Sequence, residues 1–247
     1  MLLEICASNF ASALTAQRAG GHRIELCSGL EAGGLTPSAG LIRAAVATLT
    51  IPVHVLIRPR EGDFCYSLEE VAVMCDDIRL CRDMGAAGVV VGALNERGEL
   101  DRAAMEAMLH AAAGMDITCH RAFDSTPDAA AALEQLISWG FNRVLSSGQA
   151  TTAYEGRFLL KQLVEQAAGR ITVMPGAGIS PKNIAEIRSV SGAQEFHATG
   201  RRKVVRSLPG QEITGLMWEY WESDEATIRR ILDGGRWTED VGLRTLD

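Results

Sequence analysis

No stretch of this chain approaches about 18 consecutive apolar residues, so no membrane-spanning helix is expected. The opening MLLEICASNF has neither a basic leading segment nor a long apolar run, so it does not read as a secretory signal. Basic excess is missing too. Lys and Arg number 24 against 31 Asp and Glu, a formal net charge of −7, which argues against a nucleic-acid binder. The six cysteines (6, 27, 65, 75, 81 and 119) form no CxxC pair and no zinc-finger spacing. Reduced thiols in a cytoplasmic setting are expected, not a disulfide framework. No linker or low-complexity segment divides the 247 residues, a length that suits one α/β barrel.

What is present is alternation. Short apolar runs occur at 2–6, 23–27, 53–57, 88–92, 116–120, 143–147, 171–174 and 195–198. Helix-period segments lie between them at about 9–19, 37–48, 67–84, 101–113, 127–139, 154–168 and 181–189, and a last helix fits 223–234. Strand runs apolar at nearly every position are buried on both faces, as in a parallel sheet. Eight such units predict an α/β fold, a closed (β/α)₈ TIM barrel forming a single domain over 1–247, with a doubly wound open sheet as the alternative. Thr36-Pro37, Thr126-Pro127 and Ser180-Pro181 read as capping hydroxyls before a first-turn proline. Ser67 to Glu70 reads as a capping box, and Gly20, Gly85 and Gly140 as helix stops. The segment at about 199–220 breaks the regularity. It carries Arg201, Arg202, Lys203 and Arg206 and then Trp218-Glu219-Tyr220-Trp221, and it is expected to be a long loop that covers the barrel or makes a subunit contact.

In a TIM barrel, chemistry sits at the C-terminal strand ends. The polar residues gather there: Glu4 and Cys6, Glu25 and Cys27, Arg58 and Arg60 with Asp63 beyond, His120 and Arg121 with Asp124 behind, and His197. Alternation puts Glu4 with Cys6, and Glu25 with Cys27, on single faces. If those faces point inward, Glu4, Glu25, Arg58, His120 and His197 line one mouth and need a Glu–Arg–His network to offset their burial. Gly176-Ala177-Gly178 after the seventh strand, helped by Ser147 and Gly148 after the sixth, can cradle an anion. The third glycine of a dinucleotide fingerprint is missing, so no nucleotide cofactor is expected. Cys6 and Cys27, on neighbouring strands, could hold soft Cu(I), although a lone buried cysteine is more often a small hydrophobe. Cys75 and Cys81 read as packing residues, Cys65 as a loop thiol, and Cys119 points opposite to His120. His22, His54 and His110 read as capping, core or surface residues.

Together these segments resemble the CutC family, which is named for a proposed role in copper homeostasis. The matching stretches are Arg23-Ile24-Glu25-Leu26-Cys27, Gly33 to Ser38, Ile57 to Phe64, His120-Arg121-Ala122-Phe123-Asp124, Ser147-Gly148, Gly176 to Ile179 and Glu195-Phe196-His197. The resemblance implies a cytoplasmic, homo-oligomeric TIM barrel that binds copper, with Cys6 and Cys27 as the matching ligands. It departs from the family pattern at Glu61, usually a glycine, and fades over 199–220. The residues themselves leave a second reading open, a small-molecule isomerase, lyase or hydrolase acting on a phosphorylated or carboxylated substrate. Arg58, Arg60 and the 176–178 amides would hold the anion, with Glu25 or Asp124 as base and His120 as acid, and Asp63 joins that set. A third reading is a non-catalytic barrel that binds a partner. A dedicated copper carrier would be expected to show a Cys- or Met-rich motif, and this chain has none.

Overall fold

The computed structural model describes residues 1–205 and 219–235. Its elements follow one another as β1 (Leu2–Ala7), α1 (Phe10–Arg18), β2 (Arg23–Leu26), α2 (Ala39–Thr48), β3 (Val53–Leu56), α3 (Leu68–Asp83), β4 (Gly88–Val91), α4 (Arg102–Ala111), β5 (Asp116–Cys119), α5 (Ala129–Trp139), β6 (Arg143–Ser146), α6 (Arg157–Ala167), β7 (Thr172–Pro175), α7 (Ile184–Ser191), β8 (Glu195–Ala198), β9 (Arg201–Val205), β10 (Glu219–Ser223) and α8 (Glu225–Gly234). Strands β1 to β8 form one parallel sheet in the order β7-β6-β5-β4-β3-β2-β1-β8. This is the expected (β/α)₈ barrel, nearly closed. Among the described residues, β7 and β8 face each other without a hydrogen-bonded ladder.

Side-chain alternation sorts each strand into two faces. Leu3, Ile5, Ile24, Leu26, Val55, Val89 and Val144 join the core that includes the helix residues Ala13, Ile42, Met74, Met105 and Leu133. Each fully buried branched side chain of this kind contributes roughly 1.5–3 kcal/mol. The opposite face points into the barrel. Cys6, Cys27, Leu56 and Val90 form a separate small apolar cluster there.

The helix starts correct one expectation. The three hydroxyl–proline pairs do not cap; each helix begins two residues or more beyond its proline. Ser38 caps α2 by accepting from the Leu41 amide, and Asp128 caps α5 by accepting from the Ala131 amide. Asn183 precedes α7 with no side-chain cap bond. Thr36 is engaged elsewhere, because its hydroxyl accepts from the Arg58 amide at 2.9 Å. The Ser67–Glu70 capping box forms as expected, and Gly140 ends α5 in the left-handed region at a φ of 87°. The 199–220 segment is not simply a loop. Arg201–Val205 and Glu219–Ser223 pair as an antiparallel ribbon, while Arg206 and Trp218 lie outside the described residues.

The lower barrel interior is charged. Arg23 donates from Nε to Glu4 and from Nη2 to Glu195 at 2.8 Å. Arg143 donates from Nε to the same Glu195 oxygen at 2.7 Å and lies 3.7 Å from Asp116. Register produces this arrangement: Glu4 pairs with Arg23 on one side and with His197 on the other. Removing one member of such a network leaves a buried charge uncompensated. Arg23→Met is therefore expected to destabilise the fold by about 3–5 kcal/mol in urea unfolding. Arg79→Met, which breaks an exposed pair with Asp76, should cost less than about 1 kcal/mol.

Candidate functional site

Above this network the barrel opens into a cavity of about 380 Å³ at the C-terminal strand ends. Its floor comes from β1, β2 and β8, and carries Cys6, Glu25 and His197. One wall comes from the segments after β2 and β3 and from β5, with Gly33, Arg58, Phe64 and His120. The opposite wall holds Ala177, Gly178 and Ile179 after β7, and Thr199 after β8.

Cys6 Sγ on the floor lies 3.5 Å from Sγ of Cys27, which sits behind it and does not line the cavity. Both side chains are buried, as alternation on adjacent strands requires. The ligand atoms of Cys6, Glu25 and His197 lie within 4.8 Å of one another. His197 Nδ1 sits 2.8 Å from Glu4 Oε1, and its Nε2 sits 3.7 Å from Glu25 Oε2. Burial would raise the Glu4 carboxyl, but the His197 hydrogen bond and the Arg23 guanidinium outweigh it and hold Glu4 well below the usual carboxylate range. Ionised Glu4 accepts only, so His197 Nδ1 donates to it and Nε2 faces Glu25 and Cys6. Burial lowers His197, yet the Glu25 and Glu4 carboxylates outweigh burial and leave it raised. Glu25 shifts upward, chiefly through burial. The Cys6 thiol is pushed well up by its hydrogen bond with Cys27 and by burial. Glu4 itself lies beneath the cavity, outside its lining.

On the first wall, Arg58 is buried and spends its terminal nitrogens on carbonyls. Nη1 donates to Ala32 at 2.8 Å and to Gly34 at 3.0 Å, and Nη2 donates to Gly62 at 2.8 Å. Its guanidinium stacks on Phe64, 5.1 Å from the ring centre. His120 accepts from the Ala122 amide through Nδ1 at 3.1 Å. Burial and the Arg58 charge push its pKa down to about 3, so the ring is neutral near pH 7. The ring fits only because β4 is followed by Gly92, where a Cβ would meet His120 Cε1 at 2.5 Å.

Several expected site residues lie elsewhere. Because β3 ends at Leu56, the alternation that would carry Arg60 into the mouth is lost. Arg60 instead donates to Glu70 at 2.6 Å and to Asp63 at 3.0 Å, and stacks on Tyr66. Arg60 and Asp63 therefore fasten their own loop. Asp124 is not a free base. Its carboxylate accepts from the Ser146 hydroxyl at 2.6 Å, the Ser147 amide at 2.9 Å and Arg121 Nε at 2.8 Å. It fills the cradle that Ser147 was expected to offer an external anion. Gly148 donates to Ser146 Oγ at 2.8 Å and packs on Gly156, whose carbonyl a Cβ would meet at 2.3 Å. Gly176 donates to the Ser146 carbonyl at 2.9 Å. Of the four expected anion-binding residues, only Gly178 lines the cavity.

Arg23 and Arg143 were missed as members of the interior network, although Arg23 lies two residues before Glu25 and therefore on the same face. The other cysteines behave as expected. Cys119 packs in the outer core, Cys75 and Cys81 are buried there too, and Cys65 is exposed.

The buried histidines set an acid limit. Burial pushes His54 down to about 4, as it helps push His120 down to about 3. In the unfolded chain both titrate near 6.5. The unfolded state therefore binds more protons between these limits, and stability falls as pH drops below about 6.5. The expected loss approaches about 3 kcal/mol for each group near pH 4. His197 has the opposite sign: its contribution is complete below about 6.5 and fades as pH rises through its raised value. Urea midpoints measured across this range should decline more shallowly in His54→Gln than in the native chain; parallel declines would contradict the assignment.

The CutC family profile matches residues 1–202. A family protein CutC from Xanthomonas axonopodis pv. citri is 45% identical over 235 residues, covering 94% of this chain and 98% of its own. The crystal structure of a CutC from Streptococcus agalactiae, described as a candidate copper homeostasis protein, superposes with a TM-score of 0.78 at 35% identity, over 81% of this chain and 98% of that one. Monomers of phosphoribosylanthranilate isomerase from Thermotoga maritima superpose at 0.57 over 95% of this chain and 98% of that one, and at 11% identity they share the fold alone. With the barrel, the strand-end residues and these matches in agreement, the chain belongs to the CutC family.

Proposed function

We propose that this protein binds copper(I) as its cargo at the floor of the barrel mouth, with Cys6 and Cys27 supplying thiolates and His197 Nε2 a third donor. The observation that carries this reading is the pair of thiol sulfurs 3.5 Å apart on adjacent strands. Soft thiolates suit Cu(I), as they also suit zinc, and imidazole suits copper, so the donor set fits the ion. The Glu4–His197 contact supports it. A metal-binding histidine typically donates its other ring N–H to a carboxylate, which fixes the ring and leaves the remaining nitrogen for the metal. Glu25, beside Nε2, supplies negative charge near the ion.

The same proposal places the protein in the cytoplasm and in homo-oligomers, as its family resemblance implies. Six cysteines, none of them in a disulfide, support a reducing compartment. No helix among the described residues is long and apolar enough to cross a membrane.

Ligand protons must leave when the metal binds. Cys6 is pushed well up, so it gives up a proton that it holds near neutrality, and the raised His197 competes with the metal for its own. Cu(I) affinity should therefore rise with pH, by about tenfold per unit for each proton released. Anaerobic Cu(I) competition against a calibrated chelator tests the site. One-to-one binding, lost in Cys6→Ser/Cys27→Ser and kept in Cys119→Ser, is the expected result. Binding indifferent to Cys6 and Cys27 would overturn it.

A further inference from the structure

The floor of the mouth accounts for its soft donors, but not for its walls. Arg58 is 6% exposed, and its partners are the carbonyls of Ala32, Gly34 and Gly62. Carbonyls satisfy N–H groups but bring no charge. Among the described residues no carboxylate pairs with this guanidinium, although nearly every other buried or half-buried cation in the barrel has one. A permanent charge held out of water without a counter-charge costs several kcal/mol.

His120 stands close by. Phe64 lies between the two side chains, touching Arg58 on its face and His120 with ring centres 4.9 Å apart. Because Nδ1 accepts from Ala122, the proton of the neutral ring is on Nε2. That N–H is buried and has no acceptor among the described residues, and Arg58 Nε is likewise unpaired among them. Two unused donors and one unbalanced positive charge thus share a wall of a cavity that Leu30, Leu56, Leu145 and Arg121 also line, above the floor of Cys6, Glu25 and His197. On the far wall, the amides of Ala177, Gly178 and Ile179 also have no acceptor among the described residues. Ala177 holds a φ of 73°, an uncommon conformation for a residue with a Cβ, and Gly178 follows at 77°.

We propose that the mouth binds a small organic oxyanion, a phosphomonoester or a carboxylate, with its charge against Arg58 and the His120 Nε2–H and its remaining acceptors reaching the 177–179 amides. The inference does not depend on the copper reading, since none of these residues belongs to the thiol floor. The shape agrees with it. A cavity of about 380 Å³ is at the small-metabolite end of the usual range, and its apolar lining suits a short carbon skeleton. The sign of charge discriminates too: the free groups on both walls are donors, so a cationic or donor-only ligand would leave them unpaired.

The test measures thermal unfolding and calorimetric affinity on the full chain at constant ionic strength. The probes are glycerol 3-phosphate for the phosphomonoester arm and malate for the carboxylate arm, with glycerol and chloride as controls. At least one oxyanion should raise Tm and bind, and the arm that binds names the class. Affinity should fall by about tenfold or more in Arg58→Met and in His120→Asn, because each removes a donor to a charged acceptor. Asn at 120 keeps an acceptor for the Ala122 amide while deleting the Nε2 donor, so it decides the matter if Arg58→Met damages the loop. Cu(I) affinity should be unchanged in His120→Asn. No binding by either oxyanion, or equal binding by native protein and His120→Asn, would overturn the proposal.

Discussion

The barrel interior depends on one buried contact, the Arg23 guanidinium against the Glu4 carboxylate. In most barrels of this class the interior is filled by branched apolar side chains. Here the lower interior is ionic, and Arg23 reaches both Glu4 and Glu195, while Arg143 shares Glu195 from the other side. Each charge is tolerable only because its neighbours are present. The network also acts upward. It keeps Glu4 ionised, Glu4 fixes the ring of His197, and His197 then presents one defined nitrogen to the cavity floor. The orientation of a floor residue is thus set one layer below it, by residues that never reach the mouth.

The mouth itself is divided by chemistry. The thiol of Cys6 and the His197 ring gather with Glu25 on the β1–β2–β8 side, and N–H donors, the His120 ring among them, occupy the walls. Asp124 sharpens this division. By filling the Ser146–Ser147 cradle with the chain's own carboxylate, the fold closes one potential anion site and leaves the 177–179 turn as the open one. Arg58 marks the same division from the other wall, since it organises the loops at Ala32–Gly34 and Gly62 through carbonyls and leaves its charge unspent.

The fold was legible because eight strands buried on both faces write themselves as near-continuous apolar runs, separated by amphipathic segments. The candidate floor was legible through alternation: Cys6 and Glu4 share a face, as do Cys27 and Glu25, and neighbouring strands bring the thiols into contact. The failures have physical causes. Alternation stops where a strand stops, so Arg60, four residues past Leu56, turns outward to Glu70. A carboxylate near serines and a histidine reads as catalytic in one dimension, and only the three-dimensional path of the chain shows that Asp124 is saturated with donors. Two of the hydroxyl–proline pairs failed because the residue after the proline, Ser38 or Asp128, makes the cap, and the third because α7 starts without a side-chain cap. The pairing of 201–205 with 219–223 was hidden because β9 is exposed and basic and the half-buried β10 is rich in carboxylates, so neither shows an apolar period.

The gap in the hydrogen-bond ladder between β7 and β8 makes this barrel a rolled sheet with a seam. The seven other junctions are laced by backbone hydrogen bonds, whereas this one has no such ladder. Gly178 stands on one lip and His197 on the other. A molecule seated across the mouth and touching both lips would act as a clasp, and its binding would raise the resistance of the whole cylinder to unrolling as its concentration exceeds its Kd.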